Sequence, residues 1–246
     1  MGLFDFLGKK KSDTAPRPSP RELGRLERLV SNKLSQNFDR QEAIEELGKV
    51  ATAASAGALL KRFDWALDPS ITDQDEKENC VRGIVAAGEA ALEPIRNYCK
   101  RAESLSWPLK ALGAIVSDER YVEELLAILD QWDTEYVRNP EPKIQIIAEL
   151  EKFPSDDVRV AVEPFLGDMS EPVRFRAANT VFALGDEASV PALVAALEGE
   201  ESLRIKNRIA RGLEEAGWSV PDELRPVCEK ALPEGFRLEA GRIRGR

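Results

Sequence analysis

Six stretches of this chain repeat one apolar spacing, and that repetition decides what the chain can fold into. Aligned on a common turn, they place a small or aliphatic residue at Ala43, Cys80, Leu109, Ile146, Ala177 and Ile209. Four residues later come Leu47, Ile84, Gly113, Leu150, Val181 and Leu213, and three further on come Val50, Ala87, Val116, Phe153, Leu184 and Ala216. The turn position then holds Ala51, Gly88, Ser117, Pro154, Gly185 or Gly217. Steps of four and three keep side chains on one face of an α-helix. Successive copies lie 37, 29, 37, 31 and 32 residues apart, the length of one helical hairpin. A single hairpin cannot cover its own apolar face, so each copy must be covered by its neighbours.

The best-preserved copy is Ser170–Glu198. Pro172 suits a first helical turn, Gly185 suits a helix stop, and Val190, Leu193, Val194 and Leu197 form a second apolar stripe. The second helices are predicted over residues 53–67, 89–101, 118–132, 155–166, 187–198 and 220–232. Residues 21–36, with Leu23, Leu26, Val30 and Leu34 on one side, read as a helix capping the array. Residues 68–76 and 133–142 read as long connections, either binding loops or simply exposed crossovers. Residues 233–246 read as a basic, mobile tail, because they show no clear apolar period.

Val173-Arg174, Ala177-Ala178, Ala183-Leu184-Gly185-Asp186 and Ser189-Val190-Pro191-Ala192-Leu193 resemble the HEAT repeat, in the bacterial form associated with phycobilin-lyase-like sequences. Arg82, Ala86-Ala87-Gly88 and Leu92-Glu93-Pro94-Ile95 match in part. The resemblance implies an all-α fold, an α-solenoid of about six HEAT-like hairpins over residues 37–232. It is specific for fold and weak for function. Repeats of this type are similar to those of scaffolds, of bilin lyase subunits, of a family of DNA glycosylases and of a diiron hydroxylase.

Composition narrows these. The chain has no histidine, which excludes the hydroxylase, Ser-His-Asp and Cys-His catalysis, and His-ligated metals. Cys80, Cys99 and Cys228 lack metal-ligand spacing and read as buried hydrophobes in a reducing cytoplasm. The net charge of −9 opposes a phosphate backbone, so nucleic acid is disfavoured, although Trp65, Trp107, Trp132 and Trp218 leave a glycosylase-like reading open. No apolar run approaches the ~18 residues of a membrane span. No catalytic residue, metal or cofactor is assigned, and the chain is read as non-enzymatic. A lyase-like subunit handling a bilin or another prosthetic group remains the enzyme-class alternative.

Three groups of charges carry candidate sites. Arg40, Lys77, Lys143, Arg174 and Lys206 occupy one aligned position near the start of the first helices. Helix dipoles disfavour cations there, which suggests specific partners. A period equal to the structural period points to a ladder between repeats, with a basic track for an acidic ligand as the sharper reading. Residues 118–135 carry seven acids and one base. Glu123, Glu124, Asp130, Asp133 and Glu135 are candidate contacts for a basic segment of a protein partner, if they do not merely form a solvated face. Residues 1–11 join Leu3, Phe4, Phe6 and Leu7 to Lys9, Lys10 and Lys11. Followed by a Pro/Ser linker at 12–20, they form a candidate amphipathic contact with an anionic membrane surface, or else with a protein. The function expected is an adaptor binding protein partners on the concave side of the solenoid, cytoplasmic and peripherally tethered to the membrane.

Overall fold

A computed structural model describes residues 18–245. The described residues form thirteen α-helices, short 3-10 turns and one β-hairpin. They divide into two compact units, the first ending at Ala91 and the second beginning at Leu92.

The first unit begins with α1 (Pro20–Ser31), which is locally encoded. The Ser19 Oγ accepts the Glu22 N–H at 3.3 Å, and the Glu22 carboxylate accepts the Ser19 N–H at 2.8 Å. Helix α1 packs on α2 (Asn37–Val50) and α3 (Ala53–Leu60), and α2 packs on α4 (Ser70–Ala86). A 3-10 turn, Lys61–Asp64, extends α3. The α2–α4 crossing is glycine on glycine: a Cβ at Gly83 would lie 3.0 Å from the Gly48 Cα and 2.7 Å from the Leu59 Cδ1. Helix α2 stops at Ala51 in the left-handed region, φ 48°, a conformation that a side chain resists.

The second unit holds α5 (Leu92–Cys99) and four successive hairpins. These are α6 (Ser106–Gly113) with α7 (Asp118–Leu129), α8 (Glu141–Leu150) with α9 (Asp156–Val162), α10 (Glu171–Leu184) with α11 (Val190–Gly199), and α12 (Leu203–Ala216) with α13 (Arg225–Ala231). First helices pack on first helices, α8 on α10 on α12, as stacked repeats require. All six residues of the first aligned column are buried, as are five of the second. The exception, Gly113, leaves room for the Tyr121 ring, which a Cβ would meet at 3.4 Å.

The structure departs from the sequence reading in three places. Helix α4 begins at Ser70, so most of the expected 68–76 connection is helical, and Asp73 and Glu76 face inward to meet buried arginines. Helix α1 ends at Ser31 rather than at 36, leaving Leu34 in a turn and 87% exposed. The expected mobile tail is folded as β1 (Phe236–Glu239) and β2 (Arg242–Gly245), paired antiparallel. Ala240 and Gly241, both at positive φ, make its turn. Ile243 is buried against α12, and the Val220 N–H donates to the Gly241 carbonyl at 2.7 Å. The signal was a period of two, Phe-Arg-Leu-Glu then Arg-Ile-Arg, where a helical period was sought.

Candidate partner-binding groove

The acids of residues 118–135 do not share one fate. Helix α7 turns Tyr121, Glu124, Leu125, Ile128 and Leu129 inward. Glu124 is therefore not a surface contact: it is buried and held by the Arg96 guanidinium, with the Nε at 2.6 Å. Its charge is satisfied because Arg96 stands on the adjacent α5, one repeat earlier. Glu123, Asp130, Asp133 and Glu135 are exposed. Of these, Asp130 and Asp133 line a groove of about 950 Å³ between α7 and α9.

The groove floor is apolar: Leu126, Ala127 and Trp132 on the α7 side, Val160, Ala161, Pro164 and Phe165 on the α9 side. Val160 is 58% exposed, which is unusual for a large aliphatic side chain. Carboxylates rim both walls, Asp130 and Asp133 on one, Asp156 and Asp157 on the other. Arg159 is the one cation in the lining, and it is fully engaged. It bonds Asp156 at 3.1 Å, Glu163 at 2.9 Å and Asp186 at 3.0 Å. The Glu163 and Asp156 carboxylates raise its pKa, the Glu163 hydrogen bond most. Asp130, Asp133 and Asp157 meet no cation among the described residues. A second, shallower depression shares Val160 and Pro164 and reaches Ala192, Ala195 and Ala196 on α11. Apolar side chains thus recur on the exposed surface of the second helices from α7 to α11.

The recurrent cations support this surface from behind. The Lys143 ammonium, 0% exposed, donates to the Asp168 carboxylate at 2.7 Å and to the Glu135 carbonyl at 3.0 Å. The second bond pins the 130–140 loop, and the Met169 N–H pins it again at the Thr134 carbonyl, 2.9 Å. Trp132, Asp133 and Thr134, which wall the groove, belong to that loop. Asp168 also caps the following repeat through the Ser170 N–H at 2.7 Å, and its own carbonyl accepts from Arg174 at 2.9 Å. Arg174 grips Glu200 bidentately at 2.8 and 2.9 Å. Burial pushes the Glu200 carboxyl up, but the Arg174 hydrogen bond and the Ser202 N–H outweigh it, and its pKa is lowered.

In the first unit the same position builds a buried cluster. Arg40 and Arg62 converge on Glu76, with the Arg40 Nη2 and the Arg62 Nε each at 2.7 Å. Asp73 accepts from Arg62 at 2.7 Å and from Lys77 at 2.8 Å. The Arg62 guanidinium also lies 3.7 Å from the Trp65 ring centroid. Lys77 thus bonds within its own helix, and Lys206 makes no ion pair among the described residues. The rung acids are Glu76, Asp168 and Glu200, not the Glu171 and Glu201 that precede the cations most closely. Arg62 escaped sequence reasoning because it lies on a second helix, outside the aligned column.

The thiols are buried: burial pushes Cys99 up to about 12 and Cys228 to about 11, and it raises Cys80 further, so each stays protonated at neutral pH. Among the described residues no group of His, Cys, Asp and Glu side chains is arranged to hold a metal. No described helix is long and apolar enough to cross a membrane. Trp218 stacks on Phe182 at 5.6 Å, and Trp107 lies against Lys110 of its own helix at 5.3 Å. The candidate membrane contacts Leu3, Phe4, Phe6, Leu7, Lys9, Lys10 and Lys11 lie outside the described residues.

No curated protein matches the chain significantly. Residues 173–199, which span most of α10 and all of α11, match the family model described as the PBS lyase HEAT-like repeat. That match falls on the best-preserved of six copies and supports reading the array of helical hairpins as HEAT-like repeats.

Proposed function

We propose that this protein is a non-enzymatic adaptor that takes an apolar–basic segment of a protein partner into the groove between α7 and α9. One observation carries the reading: an exposed apolar lining beside three carboxylates, Asp130, Asp133 and Asp157, that meet no cation among the described residues. Apolar contact supplies the affinity for such a segment, and the unpaired aspartates supply orientation and association rate. The acidic rim repels nucleic acid, so a DNA-binding role is not supported.

Affinity capture from the native cell, with the wild type and with Val160→Arg, tests this. Val160 is exposed, so the substitution leaves the core intact while placing a cation and a long side chain in the groove. A supporting result is a protein that is lost with Val160→Arg and whose protected segment, mapped by limited proteolysis, joins apolar residues to Lys or Arg. Equal capture by both proteins, or a protected acidic segment, overturns the assignment.

The description of the matched repeat favours one second reading, a lyase-like subunit handling a bilin. Co-expression with phycobilin and an acceptor protein tests it. Failure to transfer the chromophore sinks it.

A further inference from the structure

We infer that the partner segment held in the groove is an amphipathic α-helix of about thirteen residues, laid across α7, α9 and α11 with its basic residues over α7 and α9; this rests on the reading of the groove as a site for apolar–basic segments. Two observations within the second unit fix the form of the occupant. The first is what the walls withhold. An extended segment needs partners for its N–H and C=O groups, as when it adds to the edge of a sheet. This groove is walled by helices, and the carbonyls that end α7 are already spent. Those of Leu126 and Leu129 accept the Asp130 and Trp132 N–H groups, each at 2.9 Å, and that of Ala127 accepts the Gln131 side-chain amide at 3.0 Å. In the loop, the Thr134 carbonyl takes the Met169 N–H at 2.9 Å. A surface of this kind favours a backbone that pairs its own polar groups and presents an apolar stripe, which is an α-helix.

The second observation is reach. The groove does not end at α9: a depression of about 430 Å³ shares Val160 and Pro164 with it and is lined further by Leu166, Ala192, Ala195 and Ala196. Packed helices lie about 8–10 Å apart, so crossing α7, α9 and α11 takes about 20 Å. A helix covers that in about thirteen residues, and the small alanines of α11 let it come close. The charges also give it a direction. Asp130, Asp133 and Asp157 line the α7–α9 part, whereas the acid of the α11 part, Glu163, is held by Arg159 at 2.9 Å and by the Ser189 hydroxyl at 2.8 Å. Basic residues of the occupant therefore belong over α7 and α9, and its other end is apolar. A helix this short is marginal alone in water, so it folds as it docks.

Three fluorescein-labelled peptides, each of eight leucines and six lysines, test this on the full-length chain. One, LKKLLKLLKKLLKL, has the helical period; the second is the same sequence with two central leucines in the D form, which cannot make the helix; the third, LKLKLKLKLKLKLL, has the period of a strand. Equal charge cancels non-specific attraction to an acidic protein. Losing even one leucine from the floor costs about tenfold or more, so the helical peptide should bind at least that much tighter than the other two. Its binding should weaken with Val160→Arg, with Ala195→Arg on the exposed side of α11, and by about threefold with Asp130→Asn/Asp133→Asn. Equal binding of the three peptides, still weakened by Val160→Arg, overturns the helix and leaves the groove standing. No effect of Ala195→Arg overturns the span to α11, and no effect of the aspartate variant overturns the placing of the basic residues. Binding of no peptide, or binding indifferent to Val160→Arg, overturns both the helix and the groove.

Discussion

Asp168→Asn removes one charge from the point where three parts of the second unit meet. The native carboxylate is 0% exposed, as is its partner Lys143, and their separation is 2.7 Å. Asparagine is nearly isosteric and still accepts the Ser170 N–H, so the turn that leads into α10 survives. What is lost is the counter-charge of a buried ammonium, which then keeps only the Glu135 carbonyl at 3.0 Å. Removing one member of a buried ion pair costs about 3–5 kcal/mol, against about 0–1 kcal/mol for an exposed pair. The retained carbonyl and turn put this substitution near the lower figure, about 3 kcal/mol. In a unit of this size that lowers the melting temperature by about 6–12 °C. Urea unfolding followed by far-UV circular dichroism measures it, with the slope unchanged and the midpoint moved. Lys143→Met combined with Asp168→Asn leaves no buried charge unpaired and recovers most of the loss. A single-variant loss under about 1 kcal/mol would mean that the pair behaves as a solvated one, and the argument that Lys143 anchors the groove loop would fall.

Three further outcomes follow from the packing and the titratable groups. Gly83→Ala places a Cβ 3.0 Å from the Gly48 Cα and 2.7 Å from Leu59, and the α2–α4 crossing must open. A loss of about 1–2 kcal/mol in chemical denaturation is expected despite alanine's better helix propensity, and a gain would refute the close crossing. Ala51→Gly relieves a left-handed residue at φ 48° and raises stability by about 0.5–1 kcal/mol, whereas a decrease would contradict the strain. Asp73 and Glu200 have pKa values lowered from 3.8 and 4.5. Burial pushes both up, but hydrogen bonds from Lys77 and Arg62 in one case, and from Arg174 in the other, outweigh it. A carboxyl with a lowered folded pKa contributes stability that is complete above its unfolded value and lost as pH falls through its folded value. Urea midpoints should therefore hold from about pH 7 to about pH 5 and fall below about pH 4.5, less steeply in Glu200→Gln. A flat profile down to about pH 3 would contradict it.

The hairpin array was legible because its signal is repeated. One stripe of Val173, Ala177 and Val181 is an amphipathic helix and nothing more. The same columns at Ala43, Cys80, Leu109, Ile146 and Ile209 make it a stack, and every one of these residues is buried. Periodicity fails where a charge replaces a hydrophobe on the inward face. Glu124 sits on the inner side of α7 because Arg96 meets it there, and no rule of spacing reveals a partner 28 residues away. Arg62 is hidden for the same reason: its partners Glu76 and Asp73 come from another helix. The rung acids Asp168 and Glu200 carry no spacing signal of their own. Spacing locates helix starts, but it does not say which carboxylate turns back to cap its own N–H groups. The groove was half legible. Asp130 and Asp133 were visible as an acidic run, but its opposite wall, with Asp157 and Val160, belongs to the next repeat.

The central claim is that the surface between α7 and α9 holds a segment in which apolar residues adjoin basic ones. Photo-cross-linking from position 160 tests it most directly. Benzoylphenylalanine replaces Val160 in the full-length chain, the native cell is irradiated, and the joined peptides are sequenced by mass spectrometry. The prediction is a defined segment of a partner with large apolar residues next to lysine or arginine, and none when the probe stands at Leu203, which is also exposed. The same yield and the same peptides from both positions, or a joined segment without basic residues, would contradict it.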